Sequence, residues 1–89
     1  MEGIMILTVD EIIQIFEKDS GKWEGDNCFK GLQIISKYTK NIIQGADHDI
    51  IYSEDIEILI EHGMTKKEFV QLRKLNWHIE DGTYLACFV

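Results

Sequence analysis

The chain has 89 residues, sixteen acids against nine Lys and Arg, a net charge of −7, and 45% apolar residues. One small domain with a modest core fits that length, and the apolar share is enough to pack it without cross-links. The negative balance opposes generic binding to nucleic acid, whose phosphates need cations, and no stretch approaches the length of a membrane span.

The first predicted element is a helix opening at Thr8-Val9-Asp10-Glu11, a capping-box pattern in which Thr8 accepts from a first-turn amide and Glu11 reaches back. Val9, Ile12, Ile13 and Phe16 follow on one face, and Ser20-Gly21 ends the run. A second helix runs from Asp26 or Asn27 to about Thr39. Its inner stripe is Cys28, Gly31, Leu32, Ile35 and Tyr38, with Trp23 over its first turn. Gly31 weakens a helix interior by about 1 kcal/mol against alanine, so its place in that stripe predicts close approach of another element.

Residues 40–46 read as a loop, and Asp49-Ile50-Ile51-Tyr52 as a short strand. Ser53 is then the expected cap of a third helix, with Glu54 and Asp55 in its first turn and Gly63 as its left-handed stop. Thr65-Lys66-Lys67-Glu68 is a second capping box. Phe69, Leu72 and Leu75 point inward from the helix it opens, and Asn76 ends that helix. Asp81-Gly82 predicts a two-residue hairpin turn that opposes Ile79 to Tyr84 and Trp77 to Ala86. Trp77, Ile79, Tyr84, Ala86 and Phe88 would then share one apolar face. Residues 49–52 or Ile4–Leu7 are candidates for a third strand. The expected fold is a single α+β domain, 1–89, with about four helices, a C-terminal hairpin and a helix-turn-helix-hairpin second half.

Catalytic and metal chemistry find little to work with. His48-Asp49 invites comparison with metal phosphohydrolases, but only His62 and His78 remain, both out of context. Cys28 and Cys87 have no ligand spacing and read as reduced, half-buried thiols. The glycines build no phosphate loop. The expectation is a non-enzyme with no cofactor and no metal. Ile4-Met5-Ile6-Leu7 is too short for a signal core and lacks a basic leader, so the expected location is cytoplasmic.

Charge alternates along the chain. Residues 46–63 carry six acids and no Lys or Arg, whereas residues 64–76 carry four cations against Glu68. On a helical projection of the third helix, Ile56, Leu59 and Ile60 converge inward. Glu54, Glu57 and Glu61 cluster opposite, with Ile58 among them. With Asp47 and Asp49 they form a candidate partner-binding strip: carboxylates steer a basic protein and one apolar contact slows its release. The alternative is a winged-helix-like DNA-binding regulator, in which Lys66, Lys67, Val70, Arg73 and Lys74 make the recognition face and Trp77–Val89 the wing. The acidic wing tip Glu80-Asp81 works against it. A third reading is homo-oligomerisation through the hairpin edge.

The tail Leu72-Arg73-Lys74-Leu75-Asn76-Trp77-His78-Ile79-Glu80-Asp81, with Leu85-Ala86-Cys87-Phe88-Val89 after it, resembles the ends of small proteins encoded by bacteriophages and prophages. Gly31-Leu32-Gln33-Ile34-Ile35 and His48-Asp49-Ile50-Ile51-Tyr52 are similar to internal segments of such proteins. The resemblance implies a phage accessory role, such as inhibition of a host defence or transcription protein that binds nucleic acid. It carries over no catalytic residue.

Overall fold

A computed structural model describes residues 7–18, 21 and 25–88. The order is α1 (Val9–Phe16), α2 (Asn27–Ile35), β1 (Gly45–Asp47), β2 (Ile50–Asp55), α3 (Ile56–Glu61), α4 (Lys66–Lys74), β3 (His78–Glu80) and β4 (Tyr84–Phe88). The strands form one antiparallel sheet in the order β1-β2-β4-β3. Helices pack on the face that carries Ile79, Leu85 and Cys87, and the core joins them to Ile12, Ile35, Ile56, Leu59, Phe69, Leu72 and Trp77. The α+β class expected from sequence is the class observed.

Local chemistry sets the boundaries. The Thr8 hydroxyl accepts from the Glu11 amide at 3.2 Å, and Thr65 with Glu68 closes a complete capping box on α4. Gly63 adopts φ +99° and Asn76 φ +68°, so both left-handed stops stand where the sequence places them. Behind Gly63, the Met64 amide reaches back to the Leu59 carbonyl at 2.9 Å and closes the end of α3.

The close approach expected at Gly31 is made by Trp77. A Cβ built there would lie 2.0 Å from the indole nitrogen. The indole N–H donates to the Asn27 carbonyl at 3.1 Å, and the Asn27 amide donates to the Leu75 carbonyl at 2.7 Å. These contacts seat α2 on the joint between α4 and β3.

Four expectations are corrected. The α-helix of α2 ends at Ile35, and turns carry the chain through Tyr38. Residues 45 and 46, expected as loop, form with Asp47 the strand β1, an edge strand paired with the start of β2. Ser53 does not cap α3, because pairing with β4 prolongs β2 to Asp55. The Asp55 carboxylate then caps instead, accepting from the Glu57 amide at 2.7 Å. The hairpin turns through three residues, not two. Asp81 and Gly82 take positive φ, but Thr83 is an extra residue, and Glu80 pairs with Tyr84. That one-residue slip exchanges the two faces of β4 while Ile79 keeps its side: Ile79, Leu85 and Cys87 face the helices, whereas Tyr84, Ala86 and Phe88 face away. The third strand is the one that contains residues 50–52. Pairing with β2 covers the β4 edge of the hairpin, so the sheet's edges are the two three-residue strands β1 and β3. The expectations for Ile4–Ile6, Trp23 and Val89 lie outside the described residues.

Cys28 and Cys87 are free thiols on facing elements, and both sulfurs donate to the Phe88 carbonyl, at 3.2 and 3.5 Å. Burial pushes both thiols up, far above the ordinary range for Cys87. A thiol held in that form is a poor nucleophile. In iodoacetamide labelling at neutral pH, Cys28 is therefore expected to react slowly and Cys87 only after unfolding. Rapid labelling of Cys87 in the folded protein would contradict this packing.

Candidate protein-binding surface

Each acid of the expected strip has a definite place. Glu57 and Glu61 are exposed on the outer side of α3, and Ile58 between them is 37% exposed. None of the three is drawn inward, because Ile56 and Leu59 fill the core side of the helix completely. Neither glutamate makes an ion pair among the described residues. Asp47 ends β1 and Asp49 occupies the β1–β2 turn, both exposed. The Asp47 carboxylate accepts from the His48 amide at 2.9 Å, and His48 and Asp49 form the β1–β2 turn. Among the described residues, no three His, Cys, Asp or Glu side chains gather as a metal ion would need, and no helix is long and apolar enough to cross a membrane.

Glu54 does not belong to this surface. It is 3% exposed. Its carboxylate accepts from the Thr39 hydroxyl at 2.8 Å, the Gln44 amide at 2.8 Å and the Asp55 backbone amide at 3.0 Å. The cause is the irregularity in β2: Tyr52 pairs with Ala86 and Asp55 with Tyr84, so Ser53 and Glu54 together oppose Leu85. The extra residue turns Glu54 toward the 39–44 loop, where it acts as a hub. Burial alone would push its pKa up, but the three donors outweigh it and hold the carboxyl below its ordinary value. Glu68 behaves alike, with Tyr38 and Thr65 as donors.

The sign of the pH dependence follows. A carboxyl whose folded pKa lies below its unfolded one stabilises the fold above the unfolded value, here 4.5, and that contribution is lost as pH falls through the folded value. The urea midpoint is expected to drop between pH 6 and about pH 3, and to drop less in Glu54→Gln. An equal drop in that variant would show that Glu54 carries none of the effect.

The cations expected on the opposite helix do not form one free face. The Arg73 guanidinium donates to the Lys18 carbonyl at 2.8 Å and to the Trp77 carbonyl at 3.1 Å. It locks α1 and the β3 approach onto α4, and it is not free to reach a phosphate. Val70 packs partly into the core. Lys66, Lys67 and Lys74 are exposed. Lys74 shares with Lys30 and Lys37 a groove of about 480 Å³ between α2 and α4, floored by Ile34 and Leu75. Lys30 pairs with Asp26, and Lys37 with Glu68, both at 3.5 Å. Among the described residues, no ion pair joins α3 to α4.

Sequence reasoning missed the outward face of the sheet. Tyr52 and Tyr84 meet edge to face with centroids 5.6 Å apart, and His78 stacks on Phe88 at 4.8 Å. The only sequence signal for it was the hairpin, read one residue out of register. Comparison with protein-family models, with curated proteins and with solved structures finds no match.

Proposed function

We propose that the protein is a non-enzymatic interaction module that captures a basic protein through the acidic surface of α3 and the adjoining Asp47 and Asp49. The observation that carries this reading is Ile58: an exposed aliphatic side chain flanked by Glu57 and Glu61, neither of which is paired among the described residues. Carboxylates around an apolar point speed encounter with a cationic surface, and the apolar contact slows its release. In its sharper form, suggested by the resemblance to small phage-encoded proteins, the partner is a host defence or transcription protein whose nucleic-acid channel the acidic surface occupies. Such a protein would act in the cytoplasm.

A second reading, a winged-helix DNA binder, has a specific observation in its favour. β2, α3, α4, β3 and β4 follow one another with β4 between β2 and β3, which is the arrangement a helix-turn-helix with a wing would adopt. Charge weighs against it. The wing tip is acidic, Arg73 is committed to backbone carbonyls, and two of the groove lysines already have carboxylate partners. Fold alone does not decide function.

Fluorescence anisotropy with a labelled oligolysine peptide and a labelled duplex DNA, each across a salt series, separates the two. The peptide is expected to bind and to weaken with salt, and the duplex to remain unbound at about 150 mM salt. Duplex binding with a steep salt dependence, and none of the peptide, would reverse the order of the readings.

A further inference from the structure

The outward face of the sheet is built differently from α3. Directly opposed residues share a face, so Tyr52 and Asp55 on β2, Tyr84, Ala86 and Phe88 on β4, and His78 and Glu80 on β3 look the same way. The helix residues of the core pack with Ile79, Leu85 and Cys87 on the other side. Ala86 is opposed by Tyr52 on one flank and His78 on the other, so two aromatic pairs stand on either side of a small residue. Phe88 is 53% exposed. Beside the tyrosines, Gln44, Gly45, Tyr52, Ser53 and Tyr84 line a depression of about 250 Å³.

Among the described residues, the charged side chains that act on the two tyrosines are carboxylates. Tyr84 donates its hydroxyl to Asp81 at 3.0 Å. Burial raises the Tyr52 phenol above its ordinary pKa, and the charges of Asp47, Glu80, Asp81 and Asp49 add to the shift. Asp81 and burial do the same to Tyr84. Among the described residues, no Lys or Arg lines the depression. An aromatic sheet face can stack nucleobases, but these carboxylates would repel the phosphates that come with them. The ligand that suits both features is flat, cationic and rich in N–H donors. A guanidinium stacks on aromatic faces, is more weakly hydrated than an ammonium, and pairs with carboxylates.

Resting on the reading that the partner is basic, we infer that this face seats an arginine side chain of that partner, its guanidinium against the Tyr52–Tyr84 pair and within the field of Asp47, Asp49, Glu80 and Asp81. The seat adds selectivity to an attraction that the α3 carboxylates provide without it.

The test uses the full chain and two peptides of equal length and charge, an oligoarginine and an oligolysine. The oligoarginine is expected to bind about fivefold tighter or better, the range a partly desolvated cation–π contact supplies. In Tyr52→Leu that preference is expected to vanish while oligolysine affinity stays as it was. In the wild-type protein, ring resonances of Tyr52 and Tyr84 are expected to shift on adding oligoarginine, a readout independent of whether the variant folds. Equal affinities for the two peptides, or unmoved tyrosine resonances, would overturn the arginine seat and leave the basic-partner reading standing. Failure of both peptides to bind would remove that reading and the seat with it.

Discussion

Gly31→Ala is expected to destabilise the protein by about 3 kcal/mol, although alanine is the better helix former by about 1 kcal/mol. The added methyl would sit 2.0 Å from the Trp77 indole nitrogen and 2.3 Å from the adjoining ring carbon. Neither side has room to yield. Trp77 is fully buried, its N–H is committed to the Asn27 carbonyl, and Asn27 is held in turn by the Leu75 carbonyl. Displacing the ring would break that chain and open the seam between α2 and the α4–β3 joint. For a domain of this size the loss corresponds to a melting temperature lower by more than about 10 °C. Combining Gly31→Ala with Trp77→Phe should recover part of it, a favourable coupling of about 1 kcal/mol or more, because the smaller ring vacates the overlap. A Gly31→Ala protein as stable as the parent would mean that the indole does not lie there.

The acids divide into two groups with opposite expected effects. Glu54→Ala is expected to cost about 2–3 kcal/mol in urea unfolding, because it removes an acceptor shared by three donors at a buried site. Its effect on partner capture should be no larger than the loss of folded protein explains. The pair Glu57→Lys and Glu61→Lys should do the reverse. Both positions are exposed and unpaired among the described residues, so stability should change by less than about 0.5 kcal/mol. Capture of a basic partner should weaken by about thirtyfold or more, since each reversal replaces an attraction with a repulsion at the contact. Ile58→Ala should lower capture less and act mainly by speeding release.

The difference between these acids was only partly legible in the sequence. Glu57, Ile58 and Glu61 were, because the 3.6-residue period from Ile56 fixes which side of a helix each occupies. Glu54 was not. Its apparent place on that helix assumed a cap at Ser53, and only the pairing of β2 with β4, more than thirty residues away in the chain, draws residues 53–55 into the sheet. The stops at Gly63 and Asn76, the box at Thr65 and the close approach at Gly31 were readable because each is a local steric or hydrogen-bonding demand. Arg73 shows the opposite case: periodicity placed it on an outer face, but its side chain reaches the Lys18 carbonyl, 55 residues away in the chain, as well as the nearby Trp77 carbonyl.

Hairpin register was the costliest miss. Asp81-Gly82 is a strong turn signal and both residues do take positive φ, yet Thr83 adds one residue before pairing resumes. With a side-chain period of two, that single residue moved Tyr84, Ala86 and Phe88 from the expected core side to the outside and brought Leu85 and Cys87 in. The aromatic face was therefore hidden from the sequence, and the acids that surround it looked like turn residues alone.

The most direct test is affinity capture from nuclease-treated host lysate, with the wild-type chain and the Glu57→Lys/Glu61→Lys variant run side by side and read by mass spectrometry. The expected result is a protein with a strongly basic surface, retained by the wild type and absent from the variant, released as salt is raised. The same set of proteins on both baits, or material that nuclease treatment removes altogether, would contradict the claim that this acidic surface captures a basic protein.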